Sequence, residues 1–451
     1  MFRKAFTVSA LILSLFSVPE IASAQTDAEY LSAINFRFAN PGARARGMGG
    51  VLVPLAADDA TATFVNPAGL ASFDRWQFSM ELTSDEDEFP APRVETGVSI
   101  SPTGGFQPNG PPQRRSISND SSFVSFASYL RPVKMEKRHF VFGVFYSNLL
   151  NADSGSSEVF IDGALFPEID SSQAFRPVTS SVSAKNEIVG FSVGMTVLDD
   201  LSIGASLGIS HLDFVGSSRR GSNTAPDVVS SIQSSTVDSE YDVFLTLGAL
   251  YRPTERFSFG VSWQKQTGYD MSNTLDSVDN DDFDRAFDSE FTIPTRVAAG
   301  LAYKSSDWVW GLEVAHIQYS DLFEEARGRT FFAEFEVDPS YGYRIPDVTE
   351  VHLGVERQFE GENTTWFLRA GYWRDESHVP FYTGEDPQLL AWSPRLDEDI
   401  DHLTVGIGFE RERYAIDLAV DHSPDAGTDI LFSWIYKQKE VKEQPLKAAN
   451  P

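Results

Sequence analysis

Two short stretches match the G-x-S-x-G pattern that surrounds the catalytic serine of many hydrolases. They run from Gly190 to Gly194 and from Gly204 to Gly208. A nucleophile elbow needs a sharp turn from a strand into a helix, which exposes the serine hydroxyl. Around both matches apolar and small residues alternate without a break, which places Ser192 and Ser206 inside strands. Since the chain has no cysteine and no placed Ser–His–acid set, we predict no catalytic residue and a protein that is not an enzyme.

Metal and nucleic-acid sites are also disfavoured by the residue types. The seven histidines are scattered without the spacing of a metal site. The acidic run 276–284 (DSVDNDDFD) has the composition of a calcium loop but lacks the glycine and final glutamate of an EF-hand. We therefore expect a solvated loop there, with no metal and no other cofactor. The net charge of −29 leaves no basic surface for phosphates, which excludes nucleic acid as a partner.

Two arginines are the remaining candidates for ligand binding. In the segments around Arg296 and Arg369 apolar residues alternate with others, and both arginines lie on the face opposite the apolar one. A guanidinium there can pair with the carboxylate of an amphipathic ligand. The alternative is a buried ion pair with acids on the same face, such as Glu313, Glu350 and Asp417, or with aspartates near the N-terminus. His352 is expected on this face too, beside Glu350.

The segment from Asn186 to Ser210 shows most clearly which elements carry these residues. Apolar residues alternate with glycine, serine and threonine on both sides of a break at 198–200. A period of two predicts two strands, and the short break predicts a hairpin. One face is apolar and the other is small and polar, which is the pattern of a wall between lipid and a lumen.

The same unit recurs along residues 75–436 and gives about fourteen strands, an even number as in single-chain bacterial barrels. Connections alternate between short ones, such as 252–256, and long ones, such as 212–239 and 318–346. Short turns are expected in the periplasm and long loops outside the cell. Aromatic residues crowd the short-turn ends, for example Tyr303 with Trp308, as an interfacial girdle does. The sequence therefore predicts an all-β protein, a transmembrane antiparallel β-barrel.

Gly143 interrupts the aromatic run from Phe140 to Tyr146 in the third strand. A glycine at such a position marks either a bulge or kink that opens the wall sideways, or an ordinary close-packed site in a barrel. The sequence leaves both interpretations open.

The two ends of the chain differ from the barrel. Residues 1–24 combine a short basic start, an apolar run and a small-residue site ending at Ala24, which is the layout of a cleaved signal peptide. The chain is therefore expected to be exported. Residues 437–451 form a polar C-terminal tail, which is expected to be disordered.

Residues 25–74 do not alternate, and they hold the most specific pattern in the chain. The run from Gly42 to Phe73, GARARGMGGVLVPLAADDATATFVNPAGLASF, resembles the N-terminal hatch of the FadL/TodX family of outer-membrane transporters for hydrophobic compounds. The hatch residues that match are Gly47, Gly49, Gly50, Asp58, Asp59, Asn66, Pro67 and Ala68. The resemblance implies a plug inside the lumen of a fourteen-stranded barrel, and Asp58 and Asp59 are expected to accept hydrogen bonds from Arg296 and Arg369.

The resemblance also implies a function. A hydrophobic small molecule such as a long-chain fatty acid would be caught by the outer loops, held in a lumenal pocket and released past the hatch or sideways through the wall. Outer-membrane lipid and lipopolysaccharide would surround the barrel, and the barrel assembly machinery would insert it. A similar hatch pattern occurs in PorV-like barrels, which escort secreted proteins, so an interaction barrel of that kind is the alternative.

Overall fold

A computed structural model describes residues 36–38, 40–90, 98–100, 106–108, 116–135, 138–153, 157–162, 175–220, 232–266, 268–277, 285–323, 343–378, 381–382, 399–424 and 426–439. The predicted signal peptide and nearly all of the predicted C-terminal tail lie outside these residues. No helix in the described ranges is both long and apolar enough to span a bilayer.

Fourteen antiparallel strands form the wall of a closed barrel. In chain order they are β1 (Gln77–Pro90), β2 (Ser116–Met135), β3 (Arg138–Asp153), β4 (Phe175–Leu198), β5 (Leu201–Arg220), β6 (Ile232–Thr254), β7 (Phe257–Gln266), β8 (Arg296–Lys304), β9 (Trp308–Ile317), β10 (Val348–Glu360), β11 (Thr365–Asp375), β12 (Ile400–Glu410), β13 (Tyr414–Ser423) and β14 (Gly427–Lys437). Each strand pairs with the next, and β14 pairs with β1 over Gln77↔Lys437 to Asp87↔Gly427. The predicted barrel of fourteen strands is confirmed, and its closure leaves no unpaired edge for lipid to meet.

Several strands continue well beyond their predicted ends towards the long connections. β4 begins at Phe175, whereas the clear alternation begins near Asn186. Shorter strands extend the sheet further, including Ser157–Asp162 along β4 and a hairpin of Gly268–Ser277 with Arg285–Thr292. These parts need no apolar outer face, because strands outside the bilayer have no lipid-facing side. On their inner side Tyr269, Met271 and Phe291 are buried. The acidic run 276–284 starts at the end of one such strand, and residues 278–284 lie outside the described ranges.

The two faces of the wall agree with the predicted alternation. Lipid-facing Val189, Leu207 and Trp310 are 64%, 58% and 52% exposed, whereas Ser192 and Ser206 are buried in the lumen. Aromatic rings meet at the ends joined by short turns, hereafter the short-turn end; the opposite end is the long-loop end. Ring centroids lie 4.9 Å apart for Phe257–Tyr303 and 5.9 Å for Phe409–Tyr414. This ring of aromatics fits one edge of the apolar band.

Residues 40–74, hereafter the plug, fold inside the barrel. They form a short helix α1 (Ala43–Arg46) and three 3₁₀ helices, Val53–Asp58, Ala60–Thr63 and Pro67–Ser72. Proline stands near the start of the first 3₁₀ helix and opens the third, where its missing N–H costs nothing. Asp59 and Asn66 cap the second and third by accepting from the amides of Thr61 and Ala68. Short helices suit a segment that must fill a narrow lumen.

Candidate functional site in the barrel lumen

The plug is seated on a ring of wall glycines. Ten consecutive strands, β3 to β12, each place one glycine against it: Gly143, Gly194, Gly204, Gly248, Gly260, Gly300, Gly311, Gly354, Gly371 and Gly406. A Cβ atom at Gly204 would lie 2.2 Å from the carbonyl carbon of Pro67, and one at Gly371 would lie 2.0 Å from the amide nitrogen of Gly49. Only a wall without side chains at this level lets the plug backbone approach so closely. We call these ten residues the glycine ring.

Hydroxyl groups beside the glycine ring bind the plug backbone. Ser192 and Ser206 both donate to the carbonyl of Thr63, at 2.6 and 2.7 Å. Ser262 donates to the carbonyl of Val65. The two G-x-S-x-G matches therefore lie within β4 and β5, and their serines, together with Gly194 and Gly204, serve the seat of the plug.

The eight predicted hatch residues all lie in the plug, and several have a clear physical role. Gly49 and Gly50 have φ values of +67° and +85°, which favour glycine. Gly47 lies against Gly406 of β12. The Asn66 amide donates to the carbonyl of Val53 at 3.0 Å, which ties the third 3₁₀ helix to the first.

The predicted partners of the hatch aspartates are wrong. Asp58 pairs with Lys304 Nζ at 3.1 Å, at the rim of the short-turn end. Asp59 accepts from the amide and hydroxyl of Thr61, as a helix cap. Sequence alternation shows which face a side chain takes, but not its height in the barrel, and the arginines are already held by wall carboxylates nearer to them.

Arg369 forms a buried ion pair, which was the alternative to ligand binding. Its guanidinium lies between Glu356 (2.7 Å) and Asp417 (2.6 Å), and all three side chains are almost fully buried. Glu356 also receives a bidentate pair from Arg44 of the plug, with both N–O distances at 3.0 Å. Arg369 therefore belongs to a wall network that fixes α1 on β10, β11 and β13.

Arg296 fits both the ion-pair and the ligand-binding interpretation. Its Nη2 atom pairs with Glu313 at 2.9 Å, and the second oxygen of Glu313 accepts from the amides of Leu52 and Val53. Its buried Nη1 atom has no hydrogen-bond partner among the described residues. A buried donor of this kind carries a desolvation cost that a ligand oxygen would relieve. Arg296 thus keeps one donor available on the long-loop side of the plug.

A cavity of about 120 Å³, hereafter the chamber, lies on the long-loop side of the plug. Arg296, Leu149 and Phe38 line it and also line a smaller cavity bounded by Phe64 and Phe244. Around that smaller cavity lies the largest apolar cluster of the described protein, contributed mainly by β2 to β9. The wall's buried ionisable side chains lie instead on β1 and β8 to β13. The lumen therefore has an apolar sector and a charged sector, and Arg296 lies at their border.

Histidines and aromatic rings line the charged sector beside the chamber. His352 contacts the carbonyl of Gly49 at 2.7 Å through Nδ1 and Glu350 at 3.1 Å through Nε2, which agrees with its predicted place. The Trp373 ring stacks between His352 and His402, with centroids 5.5 and 3.9 Å away. Within the described residues, no three acidic or histidine side chains converge as metal ligands would.

A second cavity, hereafter the vestibule, occupies the short-turn side of the plug and measures about 430 Å³. Its lining is rich in charge and includes Arg44, Asp58, Lys304, Glu356 and Arg369. The plug separates this polar space from the chamber.

The wall is regular at Gly143. This residue pairs with Leu130 on β2 and with Ser192 on β4 without a register shift, and its open face is filled by Thr63 of the plug. Of the two interpretations that the sequence left open at Gly143, the described structure agrees with close packing and shows no kink at this residue. The register of β3 against β4 does shift further along, between Asn148 and Leu150.

These features define a class of protein, a transmembrane β-barrel of the outer-membrane type closed by its own N-terminal plug.

No protein-family model and no curated protein matches the sequence. Solved structures share the fold. A FadL homologue of Pseudomonas aeruginosa is 14% identical, with a TM-score of 0.59 over 90% of this chain and 98% of its own. The toluene transporter TodX of P. putida is 15% identical, with a TM-score of 0.53 over 90% of this chain and 100% of its own. The CymD monoaromatic hydrocarbon channel is 15% identical, with a TM-score of 0.50 over 91% of this chain and 100% of its own. The resemblance predicted from the hatch motif is thus confirmed at the level of the fold.

Proposed function

We propose that the protein takes up hydrophobic or amphipathic compounds, such as long-chain fatty acids, passively across the outer membrane. The observation that carries this proposal is the chamber beside the apolar sector, closed from the vestibule by the plug. The long-loop end faces the outside and the vestibule faces the periplasm in this proposal, as the loop lengths predict. Export would follow from the signal peptide expected at residues 1–24.

The apolar sector supplies the binding energy for an acyl chain. Sheltering a methylene group from water contributes about 0.8 kcal/mol. Phe36 already uses this sector: its ring packs edge-on against Phe291 at 5.5 Å and lies 6.4 Å from Phe214. An acyl chain that enters the sector would make similar contacts with these aromatic rings.

Arg296 is the proposed contact for a ligand head group. Its free Nη1 donor lies where the chamber meets the apolar sector, so one molecule can place a carboxylate at the guanidinium and its chain among apolar side chains. Arg369 is enclosed by its two carboxylates and lines the vestibule, so it is a less suitable first contact.

Two exits are compatible with this site. The ligand can pass the plug after the plug moves, or leave sideways through the wall. The register shift on β3 supports a sideways exit near Leu149, because a bulge locally disrupts the ladder. Leu149 is buried and lines both the chamber and the smaller cavity. TodX and CymD, which have this fold, are described as a toluene transporter and a monoaromatic hydrocarbon channel.

Lipid mass spectrometry on protein purified in a mild detergent tests the proposal. A bound fatty acid or hydrocarbon is expected, and Arg296→Met should reduce recovery of carboxylated lipids more than that of neutral ones. Arg374→Met is the matched control, because Arg374 pairs with Asp401 outside the lumen. Recovery of a secreted protein in place of any lipid would favour the PorV-like alternative and overturn the proposal.

A further inference from the structure

The chamber and the vestibule meet at one side chain. Among the described residues that line the two cavities, Glu81 of β1 alone belongs to both. Its neighbours on the same face divide cleanly: Ser79 lines the vestibule and Thr83 lines the chamber. Glu81 is therefore the point of thinnest separation between the two sides of the plug.

The carboxylate of Glu81 closes this point by binding the plug backbone. It accepts from the amide of Gly42 at 3.0 Å, from the amide of Ala43 and from the hydroxyl of Ser125 at 3.0 Å. Gly42, the third residue of the plug, directly precedes α1 and has a φ of +128°, which favours glycine; we call it the joint of the plug. Losing Glu81 would leave two buried amides without an acceptor while freeing this joint.

A bulge in the wall creates this arrangement. The register of β1 against β2 shifts between Glu81 and Leu82, so that Glu81 pairs with Phe126 and Leu82 with Val124. Ser125 and Phe126 are consequently both buried towards the lumen, although they are neighbours in a strand. Bulges redirect side chains at functional positions. Here the extra residue brings the Ser125 hydroxyl onto the Glu81 carboxylate.

We propose that Glu81 is the gate of a lumenal route from the chamber to the vestibule. This inference rests on the proposed uptake function and names the route for one class of ligand. The vestibule is lined by ionised groups, so the route suits an amphipathic molecule that carries a charged or polar head. A hydrocarbon without such a head gains nothing from that lining and must leave through the wall. The gate opens when the Gly42 and Ala43 amides leave the carboxylate and the plug turns about Gly42.

Single cysteine substitutions locate the gate, because the natural chain has no cysteine that would also react with a thiol reagent. In oriented membranes, a membrane-impermeant thiol reagent should modify Glu81→Cys from either side. It should modify Thr83→Cys from the long-loop side alone and Ser79→Cys from the short-turn side alone. Modification of Glu81→Cys from one side alone would overturn the proposal.

Conductance in planar bilayers tests the closing role. Glu81→Ala should lose the closed baseline of the wild type and pass small ions with the plug still present. Glu410→Ala is the matched control, because this glutamate lines the vestibule alone and pairs with Lys437 at the rim. Glu81→Gln, which keeps the size but not the charge, should leak less than Glu81→Ala. Equal baselines in all four proteins would disprove the gate, whereas a wild type without saturable lipid uptake would instead disprove the proposed function.

Discussion

Several buried charges at the plane of the plug are paired with opposite charges. Arg369 lies between Glu356 and Asp417, and Arg46 of the plug pairs with Asp421 at 3.0 Å. Desolvating an ion is costly, and the cost is offset only when partners and hydrogen bonds are complete. The network therefore contributes less to net stability than to the position of the plug, because every other placement of the plug would leave a buried charge unpaired.

Arg369→Met should destabilise the folded barrel strongly, because Glu356 and Asp417 would remain buried with one cation fewer. Breaking a buried pair from one side costs about 3–5 kcal/mol. The midpoint of urea unfolding in detergent measures the effect. Arg374→Met removes an exposed arginine from the same strand and should leave the midpoint nearly unchanged. Similar midpoints for both variants would show that the lumenal network is solvated.

His378 holds the residues that precede the plug. Its Nε2 atom lies 3.2 Å from the carbonyl of Phe36, and its Nδ1 atom lies 3.1 Å from the carbonyl of Glu376 and 3.3 Å from Asp375. Both ring nitrogens thus face acceptors, which suits the imidazolium form. Burial works against that charge, but Asp375 outweighs it and raises the pKa of His378 above the ordinary value of 6.5. The other groups around this pair are Glu350, Arg37, His402 and the stacked ring of Tyr319.

A pH dependence follows from this shift. A raised folded-state pKa stabilises the protein fully below the ordinary value, and the contribution is lost as pH rises through the folded value. The free energy of unfolding of wild type should therefore exceed that of His378→Gln most below pH 6.5, and the difference should shrink as the pH rises through the raised folded-state pKa of His378. Urea unfolding of both proteins across this range measures it. A difference that is constant with pH would mean that His378 acts through packing alone.

At the scale of the elements, the strands could be predicted because their lipid face must be apolar, and the alternation repeats in every hairpin. The extensions towards the long loops could not, since nothing outside the bilayer forces a strand such as Ser157–Asp162 to alternate. The glycine ring could not be predicted from the sequence either. In the sequence Gly204 and Gly371 are simply small lumenal residues, and only the three-dimensional register of the strands shows that both contact the same plug.

Gly204→Val should unseat the plug without breaking the barrel. The new side chain would enter the space of Pro67, and small-to-large changes in a packed site commonly cost about 1–3 kcal/mol. Ala205→Val is the matched control, since the next residue faces lipid, where extra methyl groups are harmless. Ion conductance should rise in the first variant alone, while both keep the heat-modifiable migration of a folded barrel. A closed Gly204→Val channel would mean that the plug adapts locally.

At the scale of the whole molecule, the lumen is divided twice. The plug separates the chamber from the vestibule, and the wall separates an apolar sector from a charged one. The alternation in the sequence predicted the barrel and placed Arg296, Arg369 and His352 on the lumenal face, and the resemblance of the hatch run implied the plug. It could not predict the ion-pair partners or the role of Glu81, because these depend on the relative heights of strands far apart in sequence.

Deletion of residues 42–62 tests how these divisions act together. The barrel should still fold and insert, because its hydrogen-bond ladder closes without the plug and water can enter the emptied lumen to solvate Glu81, Glu313 and Glu356. The deleted protein should admit small polar solutes, as Glu81→Ala is expected to do. It should differ from Glu81→Ala in losing saturable uptake, because removing residues 42–62 also removes one wall of the chamber that holds the ligand. Bilayer conductance and uptake of labelled oleate, measured on the same preparations, separate the two effects. If the deletion changes neither quantity, the segment is not a plug, and the chamber cannot be the place where ligand waits.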